Sequence, residues 1–325
     1  MRYFHLQDGV LRERKRRIIL AYKGRLRSTG SRYMRCDQLA GFAQQYFGET
    51  HEVTAMVLPH PQRKPSVWKK FLKLAQDAVV VTLKGSLDIL SDEELGELRE
   101  ATVALGIDHV DSFKGGGVFQ TADLHIAASR ASQEFMLKKC SRIAKRDGFK
   151  MPRIELVDHH ADVRVVPSAH PTDLNLRIAY IGDLKNTYIP NEIQSDMLKF
   201  SGQAQSDFEK TLLEIDRAHL HYCVRRETKL RQPKPFTKGF TAARADRNLI
   251  CTPMVHDAAR FLGDDYPYMA LGDDRQDIIN IVEHARGSIG SAEWQEGLRR
   301  IREMHHAVLP ERVAQQLLDA VDQFY

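Results

Sequence analysis

Two lysines lie close together where a short helix is predicted to begin, in the sequence KPFTK of residues 234–238. Pro235 suits the first position of a helix, because the N–H that it lacks would have no partner there. Cations at this end oppose the helix dipole, which favours anions. A bound phosphate would reverse this, since free N–H groups and the ammonium groups of Lys234 and Lys238 would converge on it. The spacing indicates a phosphate site, although a solvated basic loop beside a core helix also fits these residues.

The candidate helix lies between two predicted strands. The β-rich residues 219–224 form the first strand, and residues 249–252 form the second. A basic loop that begins with Arg225 joins the first strand to the helix. Phe236, Phe240 and Ala243 recur at helical spacing and predict the buried face of the helix. The order of strand, basic loop, helix and strand would therefore position both lysines.

The first half of the chain alternates between predicted strands and helices. A buried strand at residues 17–22, a basic glycine-containing loop at 23–31 and an amphipathic helix at 32–47 open the series. This order is typical of a doubly wound α/β domain, and the apolar strands indicate a mostly parallel sheet. Further strands are predicted at 51–58, 78–83, 107–113, 124–128 and 154–157, and helices at 67–74, 92–105 and 131–145.

A second β-α series follows residues 166–175, which contain two prolines and no periodicity and which we predict to be a linker. The first strand of this series, residues 176–181, ends at Gly182 and Asp183. Ligands of open α/β sheets bind at such strand ends. A further strand is predicted at 266–271, and helices at 192–200, 208–215, 257–262, 277–286, 292–305 and 311–324.

Three stretches of the chain resemble the GT-B-fold nucleotide-sugar glycosyltransferases, as a divergent relative of the retaining, glycosyltransferase group 1-like enzymes. These stretches are residues 17–35, 176–188 and 234–253. The resemblance implies an α/β fold with two Rossmann-like β/α/β domains that face each other across a cleft. It implies an acceptor domain at 1–166 and a nucleotide-sugar donor domain at 167–310. The last helix, within 311–325, would pack back on the first domain.

The resemblance also implies an activity, which is sugar transfer from a nucleotide-sugar donor to an acceptor that the sequence does not identify. The enzyme would be a hexosyltransferase-like, metal-independent glycosyltransferase, with no cofactor besides the nucleotide-sugar co-substrate. Basic side chains and the helix N-terminus would stabilise the leaving diphosphate. His159 and His160 would be the catalytic residues, in contact with sugar or phosphate. Donor and phosphate contacts are expected from Lys238, Lys234, Arg225, Thr241, Gly182 and Asp183, and a cleft loop from Gly30, Ser31 and Arg32.

The donor segment departs from the pattern of the retaining families at two positions. Those families carry a pair of glutamates there, whereas Pro233 and Thr241 occupy the corresponding positions in this sequence. A catalytically degenerate GT-B protein that binds a nucleotide without turnover is therefore an alternative.

The sequence Asp158-His159-His160 follows an apolar strand and resembles the motif of the DHH phosphoesterases. In that family Asp and His side chains at a strand end bind manganese for hydrolysis. The family also carries an earlier D-x-D motif, which this sequence lacks before residue 158. A metal-dependent phosphoesterase that uses these three residues is the second alternative, and a capped turn with ordinary polar histidines is a third interpretation.

Composition is that of a soluble globular protein of two ordinary domains, with 325 residues, 42% hydrophobic residues and 28% charged residues. The net charge of +5 favours anionic partners. Four widely spaced cysteines, the lack of a signal core and the lack of a run of about 18 apolar residues indicate a cytoplasmic protein. The basic residues between 12 and 35 would suit peripheral contact with the anionic inner face of a membrane. We expect no nucleic-acid partner, because aromatic residues are not interleaved with these charges.

Overall fold

A computed structural model describes residues 4–7, 10–24, 30–113, 118–200, 211–212, 214–225 and 233–325. Contacts between residues divide the chain into two compact units. The first unit contains residues 1–158, 232–234 and 310–325, and the second contains residues 159–231 and 235–309. The domain boundary expected after residue 166 stays a prediction, and the contact boundary lies eight residues before it.

The strands fall into three separate sheets. In chain order they are β1 Phe4–Gln7, β2 Val10–Glu13, β3 Arg16–Lys23, β4 His51–Leu58, β5 Ala78–Leu83, β6 Ala104–Val110, β7 Leu124–Ala127, β8 Arg153–Leu156, β9 Ile178–Ile181, β10 Met197–Phe200, β11 Leu220–Cys223 and β12 Asn248–Cys251. The pair β1 and β2 is antiparallel, whereas every pairing in the two larger sheets is parallel. The parallel sheets predicted from the β-α alternation are confirmed.

The α-helices of the described residues are numbered here in chain order. They are α1 Gly30–Arg32, α2 Leu39–Phe47, α3 Pro65–Ala75, α4 Asp92–Glu100, α5 Val118–Thr121, α6 Arg130–Asp147, α7 Thr237–Arg244, α8 Ala258–Leu262, α9 Arg275–Gly287, α10 Ala292–Ala307 and α11 Pro310–Val321. A π-helical turn, Tyr33–Gln38, joins α1 to α2 without a break. No helix of the described residues is long and apolar enough to cross a membrane.

The first unit is built on a six-stranded sheet in the order β4-β3-β5-β6-β7-β8. Every residue of the central strand β5 is buried, as its continuous apolar sequence predicts. Two helices of this unit begin at residues whose side chains cap them. Ser91 and Glu94 form a capping box at α4, and the hydroxyl of Ser129 caps α6. The C-terminal helix α11 belongs to this unit and contacts α2.

The second unit is built on a four-stranded sheet in the order β10-β9-β11-β12. Helix α7 packs on β11 and β12 through Phe240 and Ala243, which are buried as the helical spacing predicts. Phe236, the predicted third member of this buried face, is also buried but precedes the helix. The helix begins at Thr237 and not at Pro235, because the backbone of Phe236 has a non-helical ψ of 41°.

Two predicted helices of the first and second units end early and continue as strands. The helix predicted at 92–105 ends at Glu100, and β6 takes over from Ala104, which is completely buried. The helix predicted at 192–200 is a 3₁₀ segment, Asn191–Asp196, followed by the edge strand β10. In both places the apolar residues serve pairing in a parallel sheet, and tertiary packing overrides the local helical pattern.

One other prediction in the second unit needs correction, and another is described only in part. The strand predicted at 266–271 is reduced to one bridge between Met269 and Cys251, although Tyr266 and Tyr268 are buried with the alternation that suggested a strand. The helix predicted at 208–215 lies partly outside the described residues; residues 211, 212 and 214 are helical, and Ile215 begins a short 3₁₀ turn.

Candidate functional site

A tight turn follows β9 in the second unit. Gly182 has a φ of 141°, and its N–H donates to the carbonyl of Phe200 at 2.9 Å. The next residue, Asp183, accepts the backbone N–H of Lys185 on its side chain at 3.0 Å. The hydroxyl of Tyr180 donates to the carbonyl of Asp183 at 2.8 Å. These three hydrogen bonds therefore hold the turn in place at the carboxyl end of β9.

The side chain of Lys238 extends from the first turn of α7 to this turn. Its ammonium group donates to the carbonyl of Ile181 and lies 4.5 Å from the centre of the Tyr180 ring. A Cβ on Gly182 would lie only 2.6 Å from the ammonium nitrogen. The structure thus brings together two predicted donor residues, Lys238 and Gly182, and the positive φ at residue 182 favours glycine in the turn. The carbonyl of Ile181 and the face of the Tyr180 ring also stabilise this ammonium group, which lies at the positive end of the helix dipole.

Arg225 lies directly after β11 and connects that strand to the segment before α7. Its guanidinium donates to the carbonyl of Pro235 at 3.0 Å. The first turn of α7 carries no acidic residue, and the first N–H groups of any α-helix have no acceptor within the helix. The hydroxyl of Thr241 donates to the carbonyl of Thr237 at 2.9 Å, so its proton is used in a hydrogen bond within the helix. A contact of Thr241 with the donor stays a prediction.

Three polar atoms of this sheet were not singled out by the sequence. Nε2 of His221, Oγ1 of Thr252 and Nδ1 of His256 are buried and have no hydrogen-bond partner among the described residues. Burial, then Arg247 and Lys238, lowers the pKa of His221 to about 3. Burial and Arg225 lower the pKa of His256. Thr252 is the last residue of the strand predicted at 249–252, and His256 follows that strand, so their place at a strand end was the signal that could have found them.

The predicted catalytic histidines are both buried. The backbone N–H of His160 donates to Nδ1 of His159 at 3.1 Å, and the ring centres are 5.6 Å apart. Their catalytic role stays a prediction.

The neighbouring Asp158 belongs to the first unit, where it is held by two side chains. Its carboxylate accepts the amide of Gln316 at 3.2 Å, and its carbonyl accepts Nη1 of Arg35 at 2.8 Å. Within the part of the chain that the structure describes, no group of three or more His, Cys, Asp and Glu side chains is placed to hold a metal ion.

The residues predicted to form a cleft loop in the first unit are helical. Gly30, Ser31 and Arg32 form α1, because the helix predicted from residue 32 begins two residues earlier. The guanidinium of Arg32 lies 4.4 Å from the centre of the Tyr22 ring, and its Nε lies 3.3 Å from the carboxylate of Asp37. Their role in ligand binding stays a prediction.

Lys234 is exposed and, by its contacts, belongs to the first unit. Its predicted contact with a phosphate stays a prediction.

Comparison with known proteins gives structural matches only. No family model matches the sequence, and no curated protein matches it. The chain is similar to the apo form of the lipopolysaccharide outer core galactosyltransferase WaaB, with a TM-score of 0.60 and 10% identity over 95% of this chain and 100% of that chain. It is similar to a glycosyltransferase from Rickettsia africae, with a TM-score of 0.61 and 9% identity over 95% and 98% of the two chains.

A third solved structure contains a nucleotide. Anabaena HepE in complex with UDP matches with a TM-score of 0.56 and 11% identity over 95% of this chain and 100% of that chain. These structural similarities establish the fold alone, and they agree with the two parallel α/β sheets of six and four strands. The chain therefore has the GT-B-like fold that the resemblance implied.

Proposed function

We propose that this protein transfers a sugar from a nucleotide-sugar donor to an acceptor, without a bound metal ion. The observation that carries the proposal is the position of Lys238 beside the glycine turn after β9. This position is at the carboxyl edge of a parallel sheet, where ligands of such folds bind. The similarity to HepE, which was solved with UDP, supports a nucleoside diphosphate as the anion.

The proposed mechanism is electrostatic. Negative charge grows on the leaving nucleoside diphosphate as the glycosidic bond breaks. Lys238, Arg225 and the N–H groups at the start of α7 would stabilise that charge, and fixed donors of this kind are effective because they need no reorganisation. The turn of Gly182 and Asp183 would complete the diphosphate contacts, and a contact of Lys234 stays a prediction. Because these positive charges come from side chains, the scheme needs no metal.

His159 and His160 are the residues that we propose to contact the sugar or the phosphate. Both are buried, so a ligand that reached them would be shielded from water. Peripheral contact with an anionic membrane through the basic residues between 12 and 35 stays a prediction.

The change Lys238→Ala tests the proposal. We expect the affinity for UDP, GDP or ADP to fall about ten- to a hundredfold, the scale of a hydrogen bond to a charged group. Turnover should fall further, because charge on the leaving group increases in the transition state. Calorimetric titration with each nucleotide measures the affinity, and release of nucleotide from UDP-, GDP- and ADP-sugars measures turnover.

Arg299→Ala is the matched control, because Arg299 is an exposed cation of the same unit that forms ion pairs with Glu296 and Glu303, away from the turn after β9. This control should bind nucleotides as the unchanged protein does. Equal nucleotide affinity in Lys238→Ala and the unchanged protein would remove the main support for the donor site. A chelator that abolishes turnover would contradict the metal-independent scheme, and tight binding without turnover would favour the degenerate nucleotide-binding protein.

A further inference from the structure

A cavity of about 400 Å³ lies at the carboxyl edge of the six-stranded sheet, within the first unit. Its wall is formed by the ends of β3 and β4, the start of α3 and the 3₁₀ segment Ser86–Ile89 that follows β5. Strand β3 pairs with β4 on one side and with β5 on the other, so the chain reverses its direction across the sheet here. Such a switch point is where open α/β sheets bind ligands.

The lining of this cavity is strongly basic. It contains Lys23, His60, Arg63 and Lys64, and its acidic member is Asp88. Over the residues that the structure describes, no carboxylate forms an ion pair with Lys23, Arg63 or Lys64. Three cations therefore share one concave surface with their charge still available to an anion.

The start of α3 adds to the positive potential. Lys64 is the N-cap residue of this 11-residue helix, it makes no side-chain cap, and no acidic residue lies in the first turn. A cation at this position opposes the helix dipole, whereas a bound anion would satisfy both. Nδ1 of His60 is buried at the same place and has no hydrogen-bond partner among the described residues. A ligand with an anionic group would supply what each of these groups lacks.

The size of the cavity limits the ligand. A volume of about 400 Å³ is at the small end of the range of ligand pockets. Val57 and Ile89 contribute apolar surface beside the charges. Gly24 is required next to them, because a Cβ there would lie 2.4 Å from Cγ1 of Val57. The cavity thus suits a molecule of the size of one monosaccharide with one charged group.

We propose that this cavity binds a monosaccharide-sized molecule that carries a phosphate or carboxylate group. The inference rests on the proposed function, in which this anionic molecule is the acceptor of the transferred sugar. Arg63 and Lys64 hold the charged group together with the first turn of α3, and Lys23 and His60 contact it from the strand ends.

The test uses the full chain and a double variant, Arg63→Gln with Lys64→Gln. Both side chains are exposed, so the fold should survive the change. The control is Lys69→Gln with Lys70→Gln, two exposed lysines of the same helix that do not line the cavity. Calorimetric titration at low ionic strength uses four probes, which are inorganic phosphate, glucose 6-phosphate, glucuronate and glucose. UDP is titrated into each protein in parallel.

We expect the unchanged protein and the control to bind glucose 6-phosphate, and the double variant to bind it about tenfold or more weakly. Binding of inorganic phosphate but not glucuronate would identify a phosphate site, and binding of glucuronate would extend the site to carboxylates. Affinity for UDP should be equal in all three proteins. Anion binding in a protein that fails to bind UDP would support the cavity while refuting the proposed function.

Two outcomes would overturn the inference. One is that no anionic probe binds the unchanged protein better than glucose does. The other is that the control variant loses as much affinity for the anionic probes as the double variant, since the effect would then come from the general charge of the helix surface.

Discussion

At the scale of single residues, Arg247 forms a set of hydrogen bonds that its position in the sequence does not predict. It is 1% exposed, and its guanidinium donates to the carbonyls of Ala169 at 2.7 Å, Ala218 at 2.9 Å and Ala245 at 3.0 Å. It also donates to the hydroxyl of Ser168 at 3.0 Å. Burial lowers the pKa of this guanidinium. One charged side chain therefore satisfies carbonyl groups from three separate parts of the chain.

These bonds fasten the predicted linker, residues 166–175, to the second unit. The segment has neither helix nor strand, in agreement with its sequence, but it is held at several points. Within it, His170 lies 3.1 Å from the carboxylate of Asp246, and just before it the carbonyl of Val165 accepts a hydrogen bond from Arg244 at 3.0 Å. A periodic pattern in the sequence could not predict these hydrogen bonds, because they join residues about 80 positions apart.

Replacing Arg247 by methionine should destabilise the second unit by about 3 kcal/mol or more. The change leaves several buried carbonyl groups without a donor, and the cost of each unsatisfied group is about 1–3 kcal/mol. Urea unfolding followed by fluorescence measures the loss. Arg299→Met is the control, since Arg299 forms only exposed ion pairs, and it should change stability by less than about 1 kcal/mol. Equal costs for the two changes would show that Arg247 is not the anchor described here.

The candidate site illustrates the same limit of the sequence. Lys238 and Gly182 could be singled out because a cation at a helix start and a glycine at a strand end are local signals. His221 could not, because its importance comes from an unpaired buried nitrogen that only the packing of neighbouring elements creates. A sequence shows which residue types stand at helix starts and strand ends, whereas the burial of a polar group is a property of the tertiary structure.

At the scale of elements, strands were predicted best where the chain is apolar and continuous. The predicted strands 51–58 and 78–83 agree with β4 and β5, and the helix predicted at 67–74 is α3 with one or two more residues at each end. Errors fall on short elements, such as β10 with its four residues, where a helical and a strand pattern look alike. The order of the elements nevertheless sufficed for the fold class.

The last helix, α11, is the element whose position is most informative. It is amphipathic, and its buried face consists of Val313, Ala314, Leu317, Leu318, Ala320 and Val321. The polar Gln316 beside this face accepts the N–H of Asp158 at 2.7 Å. By its contacts the helix belongs to the first unit, although it is 152 residues away from the end of that unit's main segment at 158.

Replacing Leu317 by alanine should therefore destabilise the first unit. Leu317 is completely buried, and a change of this type costs about 2–5 kcal/mol because it leaves a cavity. Hydrogen exchange should become faster in β3, β4 and β5 and stay unchanged in β11 and β12. Gln315→Ala, an exposed position of the same helix, is the control and should leave exchange unchanged. Faster exchange confined to the second unit would contradict the assignment of α11 to the first.

At the scale of the whole molecule, each unit contains histidines that are buried in the neutral form. In the first unit burial lowers the pKa of His109 to about 4, and burial and the neighbouring His109 lower that of His125. These two rings are joined by a hydrogen bond of 2.8 Å. In the second unit the pKa of His221 is lowered to about 3. Both units should therefore lose stability on acidification.

The sign follows from proton binding in the two states. An unfolded histidine has a pKa near 6.5, so between about pH 6.5 and pH 3 the unfolded chain binds a proton at position 221 that the folded chain does not. The stabilising contribution of neutral His221 is complete above pH 6.5 and is lost as the pH falls through this window. The loss is about 1.4 kcal/mol per pH unit for one such histidine.

Replacing His221 by leucine, which is apolar and of similar size, removes this titration. At pH 7.5 stability should change by less than about 1 kcal/mol. At pH 5 the variant should be more stable than the unchanged protein by about 2 kcal/mol, because one and a half pH units of protonation cost are removed. Urea unfolding at both pH values measures the difference. His306→Gln, at an exposed position, should show no gain at either pH. A variant that is no more stable than the unchanged protein at pH 5 would mean that His221 is already protonated in the folded state or is reached by water, and its burial beside Lys238 would have to be rejected.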